Sequence, residues 1–147
     1  MIYTPLTKKA LHVCFDVHKD QLDKAGAPYV FHPFHLAEQM PDELTTVCAL
    51  LHDVVEDSGM TLVEMARMGF PAEVIEALSL LTHDTKTDYK DYVRAIAENP
   101  IARRVKIADL KHNCDISRFD MVDDGVEKRV QKYRKALRIL RAKQREG

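Results

Sequence analysis

The sequence is poor in the residues that mark disulfide scaffolds, disordered segments and membrane spans. Its 147 residues include three cysteines, five glycines, six prolines and no tryptophan. The cysteines, Cys14, Cys48 and Cys114, are isolated in apolar periodic segments, which favours reduced structural thiols over a disulfide framework. No apolar run approaches the roughly 20 residues that a membrane-spanning helix needs, and the N-terminus lacks the apolar core of a signal peptide. These absences predict that residues 1–147 form a single domain in the cytoplasm.

Charge of neither sign dominates the chain, but the charges are unevenly distributed. The formal net charge is −1, yet the stretch from Glu127 to Glu146 contains nine Lys or Arg residues and only two Glu. Such a segment could attract nucleic acid or another polyanion. Its apolar residues recur at helical spacing, however, which favours a final helix that packs on the core and keeps its charges in water. We therefore expect neither nucleic acid nor a membrane as a partner, and the oligomeric state stays open.

Apolar residues recur with a helical period along most of the chain, and no strand-like alternation of useful length is present. Thr4-Pro5 is a helix start signal, and Thr61 followed by Glu64 is typical of a capping box. The pattern predicts about eight helices, which cover approximately residues 5–24, 33–40, 42–58, 61–69, 71–81, 88–98, 101–114 and 126–145. The expected fold is an all-α bundle with short connections.

The stretch from Ala49 to Asp57, ALLHDVVED, places four polar side chains beside a run of Leu and Val. Burial of charge at such a place is costly unless a cation or another partner compensates it. If the stretch is one helix, Glu56 lies one turn after His52. Asp57 lies one turn after Asp53, so all four side chains project toward neighbouring parts of one surface. One helix would then supply both metal ligands and acid or base groups.

Two further stretches supply partners for this predicted helix. His32 precedes Pro33 at a predicted helix start, and Asp109 lies in an apolar helical segment, three residues after Lys106 and four before Asn113. Taken singly, His32 could cap a helix and Asp109 could pair with Lys106. Together, however, Asp109 and the acids at positions 53, 56 and 57 carry too much negative charge near an apolar core to be stable without a cation. His32, His52, Asp53 and Asp109 offer two imidazoles and two carboxylates. This mixed nitrogen and oxygen set suits Mn²⁺, Fe²⁺ or Zn²⁺ and is unlike a thiolate zinc site.

The order of these residues resembles the H…HD…D signature of HD-domain metal-dependent phosphohydrolases. Three longer motifs are similar to the hydrolase domain of Rel/Spo-type alarmone enzymes: GAPYVFHP at 26–33, ALLHDVVED at 49–57 and KIADLKHN at 106–113. The resemblance implies an HD-type helical bundle that removes the 3′-pyrophosphate of (p)ppGpp with Mn²⁺. It spans most of the chain and leaves no room for a synthetase domain, so a small stand-alone hydrolase is expected.

The resemblance also implies roles for individual residues. The metal ligands would be His32, His52, Asp53 and Asp109. Glu56 and Asp57 match the pair that activates or orients the attacking water, although the sequence does not decide which of them takes the proton. Whether His35, three residues after His32, reaches the same centre also stays open.

Substrate contacts are implied at Lys24 and Asn113, and Lys106 would offset phosphate charge. Two positions depart from the family pattern. Asp23 stands where the family usually has Arg, and the Arg of the family's DRLHN motif is absent from DLKHN at 109–113. An acid at position 23 would repel phosphate, so we expect weak binding of guanine nucleotides and a lower KM when Asp23 is replaced by Arg.

Two other functions compete with alarmone hydrolysis. The first is an HD phosphatase for another nucleotide, such as a nucleoside monophosphate or an NADPH-like 2′-phosphate. The second is a nucleotide-binding regulator that keeps the pocket without turnover. Retention of Glu56 and Asp57 beside all four expected ligands disfavours the regulator, because a binding protein needs no acid/base pair.

Overall fold

The computed structural model describes residues 1–146, which form nine α-helices, a short 3₁₀ helix and no strand. The α-helices are α1 Pro5–His18, α2 Phe31–Glu38, α3 Glu43–Leu51, α4 Val54–Ser58, α5 Leu62–Arg67, α6 Ala72–Leu81, α7 Tyr89–Ala97, α8 Pro100–Asn113 and α9 Asp124–Glu146. The 3₁₀ helix, Ile116–Arg118, follows α8. The predicted all-α fold is confirmed.

Hydrogen bonds at the helix ends confirm several predicted boundaries. The Thr4 hydroxyl accepts from the Thr7 amide at 3.1 Å, and the Thr61 hydroxyl accepts from the Glu64 amide at 3.1 Å. Each bond satisfies an amide that the first turn of a helix leaves unpaired, which typically stabilises the helix by about 1 kcal/mol.

Helix α1 is shorter than predicted, because it ends at His18 rather than near Lys24. The following segment forms a turn instead, in which Gly26 adopts a φ of 87° and the Asp23 amide donates to the Ala27 carbonyl at 2.8 Å. A positive φ suits glycine, which has no Cβ to clash. This turn brings residues 21–25 to the mouth of the site described below.

The predicted central helix is divided in two at His52 and Asp53. Asp53 has a φ of −109° and a ψ of 3°, outside the helical region, and α4 starts directly after it. The division leaves α3 as the buried centre of the bundle, packed against α1, α2, α6 and α8. Its Val47, Leu50 and Leu51 are fully buried, and complete burial of each such side chain contributes roughly 1.5–3 kcal/mol to stability.

The basic helix α9 packs across α7 and α8. Its Val130, Leu137 and Leu140 are buried, which confirms the prediction that an apolar stripe faces inward. Among the described residues, every helix is too short or too polar to cross a bilayer.

Candidate active site

Three helices bring His32, His52 and Asp109 together. His32 lies in α2, His52 directly follows α3, and Asp109 lies in α8. All three are buried, and one ligand atom from each lies within 4.8 Å of the others. Asp109 Oδ1 is 2.8 Å from His32 Nε2 and 3.6 Å from His52 Nε2. Packing of α2, α3 and α8 thus assembles three of the four predicted metal ligands.

The hydrogen bonds of His52 show that these residues fit a metal ion. Its Nδ1 lies 2.7 Å from the Ala49 carbonyl oxygen, which can only accept, so Nδ1 carries the proton of the neutral ring. Nε2 then directs a lone pair toward Asp53 Oδ2 at 3.1 Å and Asp109 Oδ1 at 3.6 Å, and it has no hydrogen-bond partner. A buried lone pair that faces two carboxylates is unfavourable unless a cation lies between them. A divalent ion would bind the lone pair and balance both acids.

Asp53, the fourth predicted ligand, lies beside this cluster rather than within its tight centre. It accepts a hydrogen bond from the Tyr29 hydroxyl. Burial and the nearby Asp109 carboxylate raise the pKa of Asp53 well above its usual range. A cation would relieve this repulsion and favour the charged carboxylate. Tyr29 belongs to the GAPYVFHP motif, but its contact with Asp53 was not predicted.

Lys106 and Asn113 both contact Asp109. Lys106 Nζ is 2.9 Å from Asp109 Oδ2, and Asn113 Nδ2 donates to Oδ1 at 3.0 Å. Burial alone would raise the pKa of Asp109, but the Lys106 ammonium and the hydrogen bond with His32 hold it well below its usual range. Lys106 therefore keeps this carboxylate ionised, and Lys106 and Asn113 together orient it.

His112 supports His32 from the side away from Asp109. The two Nδ1 atoms are 2.7 Å apart, and the ring planes are nearly parallel with their centroids 5.0 Å apart. Burial and the positive charge of Arg118 lower the pKa of His112 to about 4, so its ring is neutral at pH 7. His35 is exposed and packs on His112 at 4.4 Å, outside the cluster. This contact of His112 with a predicted ligand was not predicted from the sequence.

Glu56 and Asp57 lie in α4 next to the cluster without belonging to it. Glu56 Oε1 accepts from the His83 amide at 2.6 Å. Asp57 Oδ2 accepts from Gln21 Nε2 at 3.1 Å and lies 3.8 Å from Nδ1 of the buried His18. Both carboxylates are exposed. They can therefore exchange protons with water at the edge of the site.

A main cavity of about 450 Å³ opens over the cluster. Its volume falls in the range of about 300–1,000 Å³ that is usual for small-molecule sites. Every predicted site residue except His52 lines it, and its basic lining residues are Lys24, Lys106, Arg118 and Arg129. A second cavity of about 360 Å³ shares part of this lining and is bounded by His83, Tyr89, Tyr92 and Lys132. The arrangement suits a polyanionic ligand that extends to either side of the cluster.

No protein-family model matches the chain. Curated relatives do match it. The chain is 30% identical to a probable GTP pyrophosphokinase of Mycobacterium leprae, over 92% of this chain and 18% of the relative. It is 32% identical to the bifunctional (p)ppGpp synthase/hydrolase SpoT of Escherichia coli K12, over 72% of this chain and 17% of the relative. The chain is a relative of the Rel/Spo-type enzymes.

The chain spans less than a fifth of the length of these Rel/Spo relatives. A solved structure of similar size has the same fold, with a TM-score of 0.68 and 21% identity, over 99% of this chain and 97% of that one. It is described as "A metazoan ortholog of SpoT hydrolyzes ppGpp and plays a role in starvation responses". This likeness confirms the HD-type helical fold.

Asp23, the departure from the Rel/Spo pattern, is ion-paired. Its Oδ2 lies 2.8 Å from Arg118 Nη2, and its Oδ1 accepts from the amides of Ala25 and Ala27, each at 2.9 Å. Burial alone would raise the pKa of Asp23, but the Ala27 amide and the Arg118 guanidinium lower it. The Arg118 guanidinium therefore balances the negative charge that was expected to repel phosphate, and the expected weak binding of guanine nucleotides stays a prediction. Arg118 lies 95 residues further along the chain, and no local pattern pointed to it.

Proposed function

We propose that this chain is a metal-dependent phosphohydrolase that removes the 3′-pyrophosphate of (p)ppGpp. The observation that carries the proposal is the unpartnered lone pair of His52, directed at two carboxylates on the floor of a cavity with basic residues in its wall. The relatives support the substrate, since that of Escherichia coli O157:H7 is named guanosine-3′,5′-bis(diphosphate) 3′-pyrophosphohydrolase and is 32% identical over 72% of this chain.

His32, His52, Asp53 and Asp109 would hold the metal ion. When bound, a divalent ion lowers the pKa of a coordinated water and offsets phosphoryl charge. The mixed nitrogen and oxygen ligands suit Mn²⁺, with Fe²⁺ and Zn²⁺ as alternatives. Lys106 and Asn113 keep Asp109 in place through contacts of 2.9 and 3.0 Å.

Glu56 or Asp57 would take the proton of the attacking water. In the proposed reaction the water oxygen bonds to the phosphorus next to the 3′ oxygen, and the bond between that phosphorus and the 3′ oxygen breaks. The 3′ oxygen gains a proton and pyrophosphate leaves. Lys24 and Lys106 on the cavity wall would balance the charge of the phosphates.

Other relatives carry synthase names, such as the GTP pyrophosphokinase of Myxococcus xanthus, which is 31% identical over 74% of this chain. The site favours hydrolysis, because the carboxylates of α4 lie beside the histidine and aspartate cluster where they can accept a proton from water. A transferase would instead need to exclude water from this position.

A turnover assay after metal removal tests the proposal. The protein is stripped with a chelator, reloaded with Mn²⁺, Fe²⁺ or Zn²⁺, and incubated with ppGpp, and the products are separated by anion exchange. Metal-dependent release of pyrophosphate and GDP is expected, with Asp109→Ala as the inactive control. Release of inorganic phosphate from a nucleoside monophosphate or NADPH, without action on ppGpp, would support the other HD phosphatase activity. Absence of turnover on every substrate with every metal would favour the nucleotide-binding regulator.

A further inference from the structure

Arg118 is held from two sides in the wall of the main cavity. Its Nη2 is 2.8 Å from Asp23 Oδ2, and its Nη1 donates to the His112 carbonyl oxygen at 2.8 Å. The side chains of Arg118 and Asp23 are only 18% and 10% exposed, so water competes little for the ion pair. A long side chain that is already ordered loses less conformational entropy when a ligand binds.

Backbone hydrogen bonds also hold the Asp23 carboxylate in place. Its Oδ1 accepts from the amides of Ala25 and Ala27, which close the turn after α1. One carboxylate thus joins the 21–29 turn to the 3₁₀ helix after α8. Both segments line the main cavity, and the ion pair joins them there.

The free N–H donors and the flat face of the Arg118 guanidinium suit a nucleobase better than a phosphate. A guanidinium has five N–H donors and a flat face, and two donors are occupied here. The ion pair with Asp23 cancels most of the net charge, which reduces the attraction for phosphate. Leu22 and Phe119 line the same cavity and supply apolar surface that a base can cover.

We infer that Arg118 contacts the nucleobase of the substrate and that Asp23 is the positioning residue which holds it there. The inference rests on the proposed function, because it assumes that the main cavity binds a nucleotide. Position 23 then contributes to recognition through its partner, and the guanidinium that the Rel/Spo pattern expects at 23 is supplied from position 118.

Binding measurements on the metal-loaded protein test Arg118 apart from turnover. Calorimetry with GDP and with inorganic pyrophosphate compares wild type with Arg118→Ala and Arg118→Lys. Arg67→Ala serves as a matched control, because Arg67 is exposed on α5 and does not line the main cavity. Arg118→Ala should weaken GDP binding by about tenfold to a hundredfold, the scale of one lost stacking contact. Pyrophosphate binding should change less than about twofold.

Arg118→Lys distinguishes a planar contact from a charge contact. A lysine keeps the positive charge but has neither the flat face nor the fork of donors, so it should weaken GDP binding about as much as alanine does. Full GDP binding by Arg118→Lys, or equal loss of GDP and pyrophosphate binding in Arg118→Ala, would show that Arg118 acts as a phosphate charge and would overturn the inference. Thermal melts confirm that each variant is folded.

A double-mutant cycle tests the positioning role of Asp23. Asp23→Asn should weaken GDP binding in the wild-type background and have no further effect when combined with Arg118→Ala. An undiminished effect in the combined variant would refute positioning through Arg118. In turnover assays both single variants should raise KM for ppGpp with little change in kcat.

The proposed function and the inference can fail separately. If wild type binds GDP through Arg118 but does not hydrolyse ppGpp, only the proposed function fails. If wild type hydrolyses ppGpp with a KM that Arg118→Ala leaves unchanged, only the inference fails.

Discussion

Replacement of Asp109 by Asn separates the two roles that the structure assigns to this carboxylate. Asp109 balances Lys106 through a 2.9 Å contact, and it is the carboxylate of the His32, His52 and Asp109 cluster that could hold a metal ion. The two side chains are 7% and 14% exposed, so an unpaired ammonium would have little access to water. Loss of one partner of a buried ion pair costs about 3–5 kcal/mol, and the partial exposure of Lys106 places the expected cost at about 3 kcal/mol.

The assay is urea unfolding of the chelator-treated protein, followed by metal analysis of the reloaded protein. At a slope of about 2 kcal/mol per M, a loss of about 3 kcal/mol lowers the unfolding midpoint by roughly 1.5 M. The matched control is the double variant Asp109→Asn with Lys106→Met, which removes both charges. The double variant should recover most of the lost stability, because no unpaired charge remains, yet it should still lose the metal.

Two results would refute this reasoning. Unchanged metal content in the double variant would show that Asp109 is not a ligand. Stability of the single variant equal to that of wild type, measured without metal, would show that the contact with Lys106 does not balance a buried charge. Wild type should also gain about 2.7 kcal/mol at a metal concentration 100 times the Kd, and the double variant should gain much less.

Three further predictions address other parts of the site. Glu56→Gln or Asp57→Asn should lower the turnover rate by about 10²–10⁴ and leave the metal content intact, so full activity in both variants would contradict their role as proton acceptors. Asp23→Arg should raise KM, because it breaks the ion pair and brings a second guanidinium against the first; a lower KM would restore the original expectation. Burial holds the pKa values of His32 and His112 below the ordinary histidine value of about 6.5. The two neutral rings therefore contribute fully to stability above about pH 6.5. This contribution is lost as the pH falls from about 6.5 toward the pKa values of the folded protein. Urea unfolding of the metal-free protein between pH 7.5 and 5 measures this, and unchanged stability over that range would contradict it.

The fold class and the helix starts were predictable from sequence because they depend on neighbours in the chain. Apolar residues at helical spacing define the inward face of α9 through Val130, Leu137 and Leu140, and the hydroxyls of Thr4 and Thr61 cap amides only three residues away. The residues of the His32, His52 and Asp109 cluster were also identifiable, since polar side chains in apolar segments are costly without a partner. These features need no knowledge of which helices touch.

Tertiary structure decided the contacts that determine how these residues act. The break after α3 lies at His52 and Asp53, where His52 meets His32 of α2 and Asp109 of α8. The ring of His112 meets His32 across 80 residues of chain. The pairing of Asp23 with Arg118 joins segments 95 residues apart. The sequence showed an acid at position 23, but its net effect on a ligand depends on a partner that only the packing of α8 and its following 3₁₀ helix brings within 2.8 Å. Charge balance in a buried site is a property of distances between side chains, and helix packing sets those distances.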